Sequence, residues 1–384
     1  MKKVKLGDVC KIQSGGTPSR GNLNYWNNGN IPWVKISDIK EKYLSRTEEF
    51  ITQEGLANSS AKIFPKETIL YTIFATLGEV SILEIEATTN QAIAGLQIID
   101  ENICKDYLYY YLISLKPFVN EIGRGVAQNN INMQILRNFE IPLPSLEEQK
   151  AIARKLDKVS GLIEKRKTQH AKLSELVKSR FIEMFGDQRT NPFGWDMVTI
   201  GDIATEVRYG TSRPAVEGGK YPYLRMNNLT YEGYLDLTDL KYIDIPDNEI
   251  EKCVVRKGDV LFNRTNSVEL VGKTCVYNLD YDMIIAGYII RVRIDDRMLP
   301  VVLSNYLNST VLKEQLRSMA KGAVNQANIN AQELQSIPIY LPPIDLQHEF
   351  VVFVEQIDKS KFAIQQSLEK LETLKKALMQ KYFG

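Results

Sequence analysis

Residues 145–186 read SLEEQKAIARKLDKVSGLIEKRKTQHAKLSELVKSRFIEMFG, and this stretch decides the architecture. Ile152, Leu156, Val159, Ile163, His170, Leu173, Val177 and Met184 fall at alternating spacings of three and four, with Arg166 and Arg180 interrupting the stripe. Their neighbours are Lys, Arg, Glu and Gln; between Pro144 and Gly186 the only helix breaker is Gly161. An apolar seam with a 3.5-residue period, sustained for about six heptads, predicts a long helix packed on a partner. Ser145 with Glu148 supplies a capping box, Pro144 stops the preceding segment, and Gly186 is placed to cap the C-terminus.

The pattern returns at the far end. From Pro343 onward Phe350, Val354, Ile357, Ile364, Leu368, Leu371 and Leu378 repeat the seam, and residues 377–384 (ALMQKYFG) resemble residues 179–186 (SRFIEMFG). Two helices of about 40 residues would each run roughly 60 Å, well beyond an ordinary globular helix.

Aligning the halves at an offset near 194 extends the likeness to the segments between the helices. Lys5–Val9 matches Thr199–Ile203, Gly16-Thr17 matches Gly210-Thr211, and Ile31–Lys35 matches Tyr221–Arg225. Pro65–Tyr71 pairs with Arg256–Phe262 and Leu77-Gly78-Glu79 with Val271-Gly272-Lys273. Gly125–Asn132 pairs with Gly322–Asn330, Ile141–Pro144 with Ile339–Pro342, and Leu156-Asp157-Lys158 with Ile357-Asp358-Lys359. Eight blocks in the same order make the chain a tandem duplication: globule, helix, globule, helix. Each globule reads as mixed α/β, with turn-then-strand units at 66–71 and 257–262 and helical periodicity at 107–115 and 303–316. If the helices pack antiparallel, the globules are related by a pseudo-twofold.

Order and wording together resemble the specificity subunit of Type I restriction–modification systems over essentially the whole chain. The stretches that carry the resemblance are Leu6-Gly7-Asp8 followed by Ser14–Pro18, Ile141–Gln149, Asn191–Trp195, Gly258–Phe262 and the closing helix. The resemblance implies two α/β target-recognition domains, at 1–144 and 187–342, and an antiparallel coiled-coil spacer from the helices at 145–186 and 343–384. It also implies double-stranded DNA and two DNA methyltransferase subunits as partners, joined by restriction/translocase subunits in the full complex. S-adenosylmethionine, ATP and Mg are then expected on those partners, and no cofactor or metal on this chain.

Catalytic signatures are missing. There is no GxxxxGK[ST] loop, and Asn191-Pro192-Phe193 lacks the second proline of an adenine-methyltransferase motif and reads as a turn. His170 lies on the helical seam and His348 has no Ser, Cys or Asp constellation around it. Cys10, Cys104, Cys253 and Cys275 are scattered, which fits a reducing cytoplasm rather than a disulfide framework or zinc site. The start Met1-Lys2-Lys3-Val4-Lys5 has no apolar signal core, and no apolar run reaches the roughly 18 residues of a membrane span. Ser14-Gly15-Gly16 either offers backbone N–H groups to a phosphate or simply turns the chain.

Reading a DNA sequence takes side chains that make paired hydrogen bonds to base edges, with other polar groups holding phosphates. The candidates in the first half are Thr17, Ser19, Arg20, Lys35, Gln91, Arg124 and Asn129. In the second they are Arg208, Tyr209, Thr211, Arg213, Arg225, Asn227, Asn263, Arg264, Asn266, Lys273, Lys321 and Gln326, with the Arg264 cluster and the Arg208–Arg213 loop foremost. The inserts at 40–62 and 230–253 have little in common, which predicts different half-sites and an asymmetric target.

Charge bears on affinity. The 48 Lys+Arg and 47 Asp+Glu leave +1 overall: 1–144 is neutral, 145–186 carries +4, 187–342 carries −3, and 343–384 is neutral. Phosphate neutralisation supplies most non-specific affinity, so this chain alone is expected to hold DNA weakly, its partners supplying much of the grip. Two other readings stay open on sequence: the recognition subunit of a related bifunctional restriction–methylation enzyme, and a coiled-coil scaffold that binds no DNA.

Overall fold

The structure is a computed structural model that describes residues 2–124, 130–320 and 327–384, with the side chain of Arg124 also outside the description. It comprises two compact units, Met1–Arg166 with Ser367–Gly384, and Lys167–Gln366. Each is a mixed α/β body joined to part of both long helices, which run Leu146–Phe185 and Ile344–Phe383.

In the first unit the main sheet has the strand order Cys10–Ser14, Ile93–Ile98, Ile69–Thr72, Val80–Leu83, Tyr43–Leu44. The second unit repeats its core as Ala204–Tyr209, Ile289–Ile294, Val260–Asn263, Thr274–Val276. A smaller sheet accompanies each. Ile31–Val34 pairs in parallel with Thr88–Thr89, and Tyr221–Leu224 does the same with Met283–Ile285.

The strands read as unbroken apolar runs because both faces are covered. Ile69 and Tyr71 face the helix-side core while Leu70 faces the smaller sheet; Val260 and Phe262 divide from Leu261 in the same way. The turn before each of these strands needs a left-handed residue. Gly258 supplies it at φ +95°, whereas the first half places Glu67 there at φ +71°, with the cost a side chain brings to that region.

The helix ends follow the sequence signals. Ser145 and Glu148 close the capping box, with the Ser145 N–H and Oγ donating to Glu148 Oε2 at 2.9 and 2.7 Å. Gly186 takes φ +87° and donates to Ile182 O. Leu156, Val159, Ile163, Val177, Ile357 and Leu368 are buried, and Leu173, Ile364, Leu371 and Leu378 are half-buried. Within the second unit Phe181 and Phe185 of the first helix meet Phe350 of the second at 5.4 and 5.3 Å. Within the first, Phe383 packs on Tyr107 at 5.2 Å, and Leu378 and Met379 join the same core as Leu156.

A buried glutamine fastens each globule to its helix. Gln149 accepts the Cys104 N–H and donates to the carbonyls of Asn102 and Pro144, all at 2.8–3.0 Å. Gln347 accepts the Leu299 N–H and donates to Arg297 and Pro342 carbonyls at 2.8–2.9 Å. Neither has any exposed surface.

These contacts refine the alignment of the halves. Gln149 with Gln347, and Phe185-Gly186 with Phe383-Gly384, both give an offset of 198 through helices of 40 residues each. Asp157 therefore corresponds to Glu355 and Ser160 to Asp358, so the pairing of 156–158 with 357–359 is one helical turn out. A second block shifts by one. Gly15 and Gly210 donate to Ile93 and Ile289 carbonyls, and Gly16 and Thr211 donate to Thr89 and Ile285, so Gly16 corresponds to Thr211.

Replacing Gln347 by Ala removes the partner of three backbone groups, and an unpaired buried group costs about 1–3 kcal/mol. The expected outcome is a loss of about 3 kcal/mol in the second unit's stability, read from the shift of its urea transition, with the first unit's transition unmoved.

Candidate nucleic-acid interface

In the first unit, hydrogen bonds gather three segments into one rim. The Ser14-Gly15-Gly16 turn is held by the Thr89 and Ile93 carbonyls, and the Asn90 N–H donates to Val34 O. This decides between the two readings of the turn: the N–H groups of Gly15 and Gly16 are spent within the sheet, and neither is left for a phosphate. A side chain at Gly15 would meet Thr89 Oγ1 at 2.0 Å, so only glycine fits.

The rim then carries Thr17, whose hydroxyl donates to Gln91, and Arg20, whose guanidinium lies 3.8 Å from the Trp26 ring and 4.6 Å from Trp33. Both indole N–H groups bond back to the loop, Trp33 to Gly16 O and Trp26 to Ser19 O, with Ser19 itself exposed. Arg20 reaches Glu49 at 2.5 Å, and Lys35 reaches Glu48 and Glu49 at 2.8 and 3.3 Å. Hydrogen bonds from Lys35 and Arg20 hold the Glu48 and Glu49 carboxyls below their ordinary range.

The second unit builds the same rim from other side chains. Tyr223 OH donates to the Thr211 and Arg213 carbonyls, and Gly287 N–H donates to Thr211 O. Arg264 stacks on the Tyr209 ring at 4.8 Å, Tyr209 OH accepts the Ala331 N–H, and Arg264 Nε is buried without a partner. Arg225 occupies the place of Lys35: both backbone N–H groups cap the following turn, and both side chains meet a carboxylate, Asp239 at 2.8 Å in the case of Arg225. Arg213 forms a two-point pair with Glu249 at 3.0 and 2.7 Å, and Arg208 pairs with Glu206 at 3.1 Å.

Other candidates have different positions. Asn263 has no exposed surface; it donates to the Thr265 and Tyr288 carbonyls and accepts from Asn266. Lys273 is 7% exposed and donates to Met226 O at 2.9 Å. Both are structural in this conformation, because the groups that would meet DNA are used inside. Asn266 is half-buried and also accepts the Ser267 N–H. Asn227 is exposed on the turn after Arg225. Asn129, Lys321 and Gln326, and the side chain of Arg124, lie outside the described residues. Asn191 makes a turn, as expected, through paired hydrogen bonds with the Trp195 backbone.

Sequence reasoning missed two features of the second unit. Tyr288, half exposed, follows Gly287 directly and its carbonyl accepts from Arg264 N–H; an aromatic after an Ala-Gly turn was its only signal. Among the described residues, eight of the ten arginines of 187–342 pair with carboxylates, leaving Arg264 on Tyr209 and Arg317, which donates to Tyr231 OH. Arg317 was not singled out.

Among the described residues no group of three His, Cys, Asp or Glu is placed to hold a metal, and no helix is long and apolar enough to cross a membrane. What the chain does present, twice, is a loop rim of arginine, lysine, amide and aromatic side chains on an α/β body attached to a helical stalk, the outfit of a tandem recognition protein. The family model for the Type I restriction modification DNA specificity domain matches residues 1–174 and again 192–376, and the chain belongs to that family.

Relatives bear on both halves. The MjaIX specificity subunit of Methanocaldococcus jannaschii is 33% identical over 253 residues, 60% of this chain; the match spans only 57% of that relative's length. The EcoKI specificity subunit of Escherichia coli strain K12 is 22% identical over 391 residues, covering 94% of this chain and 83% of its own. Among solved structures, the S subunit of a Type I system from M. genitalium aligns over 100% of this chain and 96% of its own, with TM-score 0.56 at 16% identity. A chain from a study of complex assembly and conformational transition in the type I R-M system aligns over 100% and 97%, with TM-score 0.59 at 22% identity. Those two likenesses concern the fold.

One difference between the halves carries a pH dependence. In the first unit Lys116 pairs with Glu79 at 2.5 Å beside Gly78. In the second the corresponding residues are Lys313 and Lys273, and Lys313, 4% exposed, donates to Gly272 O. Burial, with Arg317 and Lys273 close by, pulls the Lys313 ammonium down to about 7. The unfolded chain keeps an ordinary lysine value, so between about 7 and 10.5 it binds the extra proton and native stability rises with pH. Below about 7 the folded protein must bury the charge and is least stable. Lys313→Met is expected to raise the second unit's unfolding temperature more at pH 6 than at pH 9.5; an equal change at both values would contradict this linkage.

Proposed function

We propose that this chain is the DNA-specificity subunit of a Type I restriction–modification complex, and that it selects a bipartite, asymmetric target in double-stranded DNA. Residues 1–144 and 187–342 act as the recognition domains, one half-site each, and the helical segments 145–186 and 343–384 act as spacer. One observation carries the reading. The same rim of loops is built in both halves around corresponding positions, Lys35 and Arg225 foremost, but with different reading groups: Thr17, Arg20 and Gln91 in one, Arg213, Arg264 and Tyr209 in the other. A framework repeated with altered side chains suits a protein that reads two unlike sequences with one device.

The chemistry follows from the pairing of the cations. Exposed ion pairs such as Arg213–Glu249 contribute little to stability, so a guanidinium can exchange its carboxylate for a guanine edge or a phosphate at small cost. Arg264 needs no exchange, since no carboxylate holds it. Until DNA arrives the carboxylates screen the rims, and the near-neutral charge keeps non-specific binding low. Two methyltransferase subunits and, in the full complex, restriction/translocase subunits supply the catalysis, with S-adenosylmethionine, ATP and Mg bound there. The working compartment is the cytoplasm, where the DNA is.

Arg264→Ala in the assembled methyltransferase complex is expected to weaken specific binding by about 1–3 kcal/mol and to relax one half-site only. Methylation profiling against a randomised target library reads this directly; relaxation in both half-sites would count against separate readers. The spacer gives a further test. Two major-groove readers on one face of B-DNA favour half-sites about one turn apart. Inserting four residues into each long helix is expected to change the tolerated gap and leave both half-site sequences intact, as scored on targets of varied spacing.

A further inference from the structure

The glutamine clamp puts the two halves in register at a place unrelated to DNA. Gln149 holds the Cys104 N–H and Gln347 the Leu299 N–H, so the helices Lys105–Ser114 and Pro300–Asn308 correspond residue by residue. Leu108 and Leu303, Tyr111 and Tyr306, and Leu112 and Leu307 confirm the register. Asp106, Tyr109 and Tyr110 then correspond to Val301, Ser304 and Asn305.

In the first unit these side chains fill the space between globule and stalk. The Lys42 ammonium lies 2.7 Å from Asp106 and 2.5 Å from Asp157, within 5.3 Å of the Tyr109 and Tyr110 rings, and Tyr110 OH donates to Asp157 at 2.6 Å. The second unit has lost both rings and the charge. A cavity of about 620 Å³ stands there, lined by all three replacements, Val301, Ser304 and Asn305. That volume lies within the range of small-molecule sites.

Its walls show what fits. Phe181 and Val354 give it an apolar side. Another side is closed by a satisfied cluster in which Tyr234 OH donates to Asp358 at 2.9 Å and accepts from Lys361 at 2.8 Å. Glu355, in the helical position of Asp157, also lines the cavity. The carboxylate that accepts the Tyr110 hydroxyl in the first unit is thus retained in the second, while the ring that carried the hydroxyl is absent.

We propose that this cavity binds a free small phenol, a single aromatic ring whose hydroxyl donates to Glu355 where Tyr110 donates to Asp157. The site stands apart from the DNA rims, and its test does not depend on DNA recognition.

The probe is p-cresol, the tyrosine side chain as a free molecule, titrated into the full chain. The expected result is saturable binding by saturation-transfer NMR and a rise of about 3 °C in the unfolding temperature of the second unit. Toluene, which lacks the hydroxyl, should bind about tenfold more weakly, and Glu355→Ala, at an exposed position, should erase that preference without disturbing the fold. Asn305→Tyr, which restores the first unit's filling, should abolish p-cresol binding. Absence of saturable p-cresol binding to the native chain would overturn the proposal, as would equal affinity for toluene and p-cresol. Loss of p-cresol binding when methyltransferase subunits assemble on the chain would overturn the free-ligand reading.

Discussion

Everything else in this chain depends on a glutamine with no exposed surface that appears once in each half. Gln149 and Gln347 each saturate one N–H and two carbonyls at the corner where globule, strand end and long helix converge. An apolar residue there would leave three main-chain groups unmet, and a shorter amide could not reach all three. The clamp joins a recognition body rigidly to its stalk, and it is the reason the two halves can be compared atom for atom. Where the halves agree around it, the fold is being maintained. Where they differ, as at Tyr110 and Asn305 or Glu79 and Lys273, the difference reports on what each half does.

The second governing constraint is electrostatic. The second recognition body holds ten arginines within a net negative segment, which is sustainable because carboxylates are distributed among them. Glu206 alone receives Arg208, Arg291 and Arg293, and Arg291 is buried completely. On the proposed function, such a surface would resist indiscriminate attachment to polyanions and still offer guanidinium groups to the right edge. On the proposed function, local structure and recognition share residues, so a change to a carboxylate such as Glu249 is expected to free Arg213 without removing it.

Much of this was legible in the sequence. The helical seam and its caps were plain because periodicity over 40 residues has few competing explanations, and the duplication followed from ordered blocks. Register was less legible. Adjacent glycines at 15 and 16 can each be matched to Gly210, and only the carbonyls that hold them decide. Two Asp-Lys pairs on a helix can be aligned one turn out, since each choice keeps the apolar stripe. The polar candidates divided for a physical reason as well. Asn263 and Lys273 have the composition of a loop but are buried, one at the end of a strand and the other just before one, and bonded to carbonyls that no local pattern announces. The partners that neutralise Arg213 and Arg225 lie 36 and 14 residues away, beyond the reach of local reading.

The first unit is not contiguous in the chain: residues 1–166 need 367–384 to complete their core, with Phe383 on Tyr107 and Leu378 beside Leu156. The second unit, 167–366, is one uninterrupted segment. During synthesis, then, the domain that leaves the ribosome first is the one that finishes last. Its sheets can pair early, but the apolar floor beneath Tyr107 and Tyr111 stays open until translation has passed through the entire other unit. Loss of residues 367–384 would therefore leave the later-made unit intact and strand the earlier one, so the two units differ in what an incomplete chain can fold.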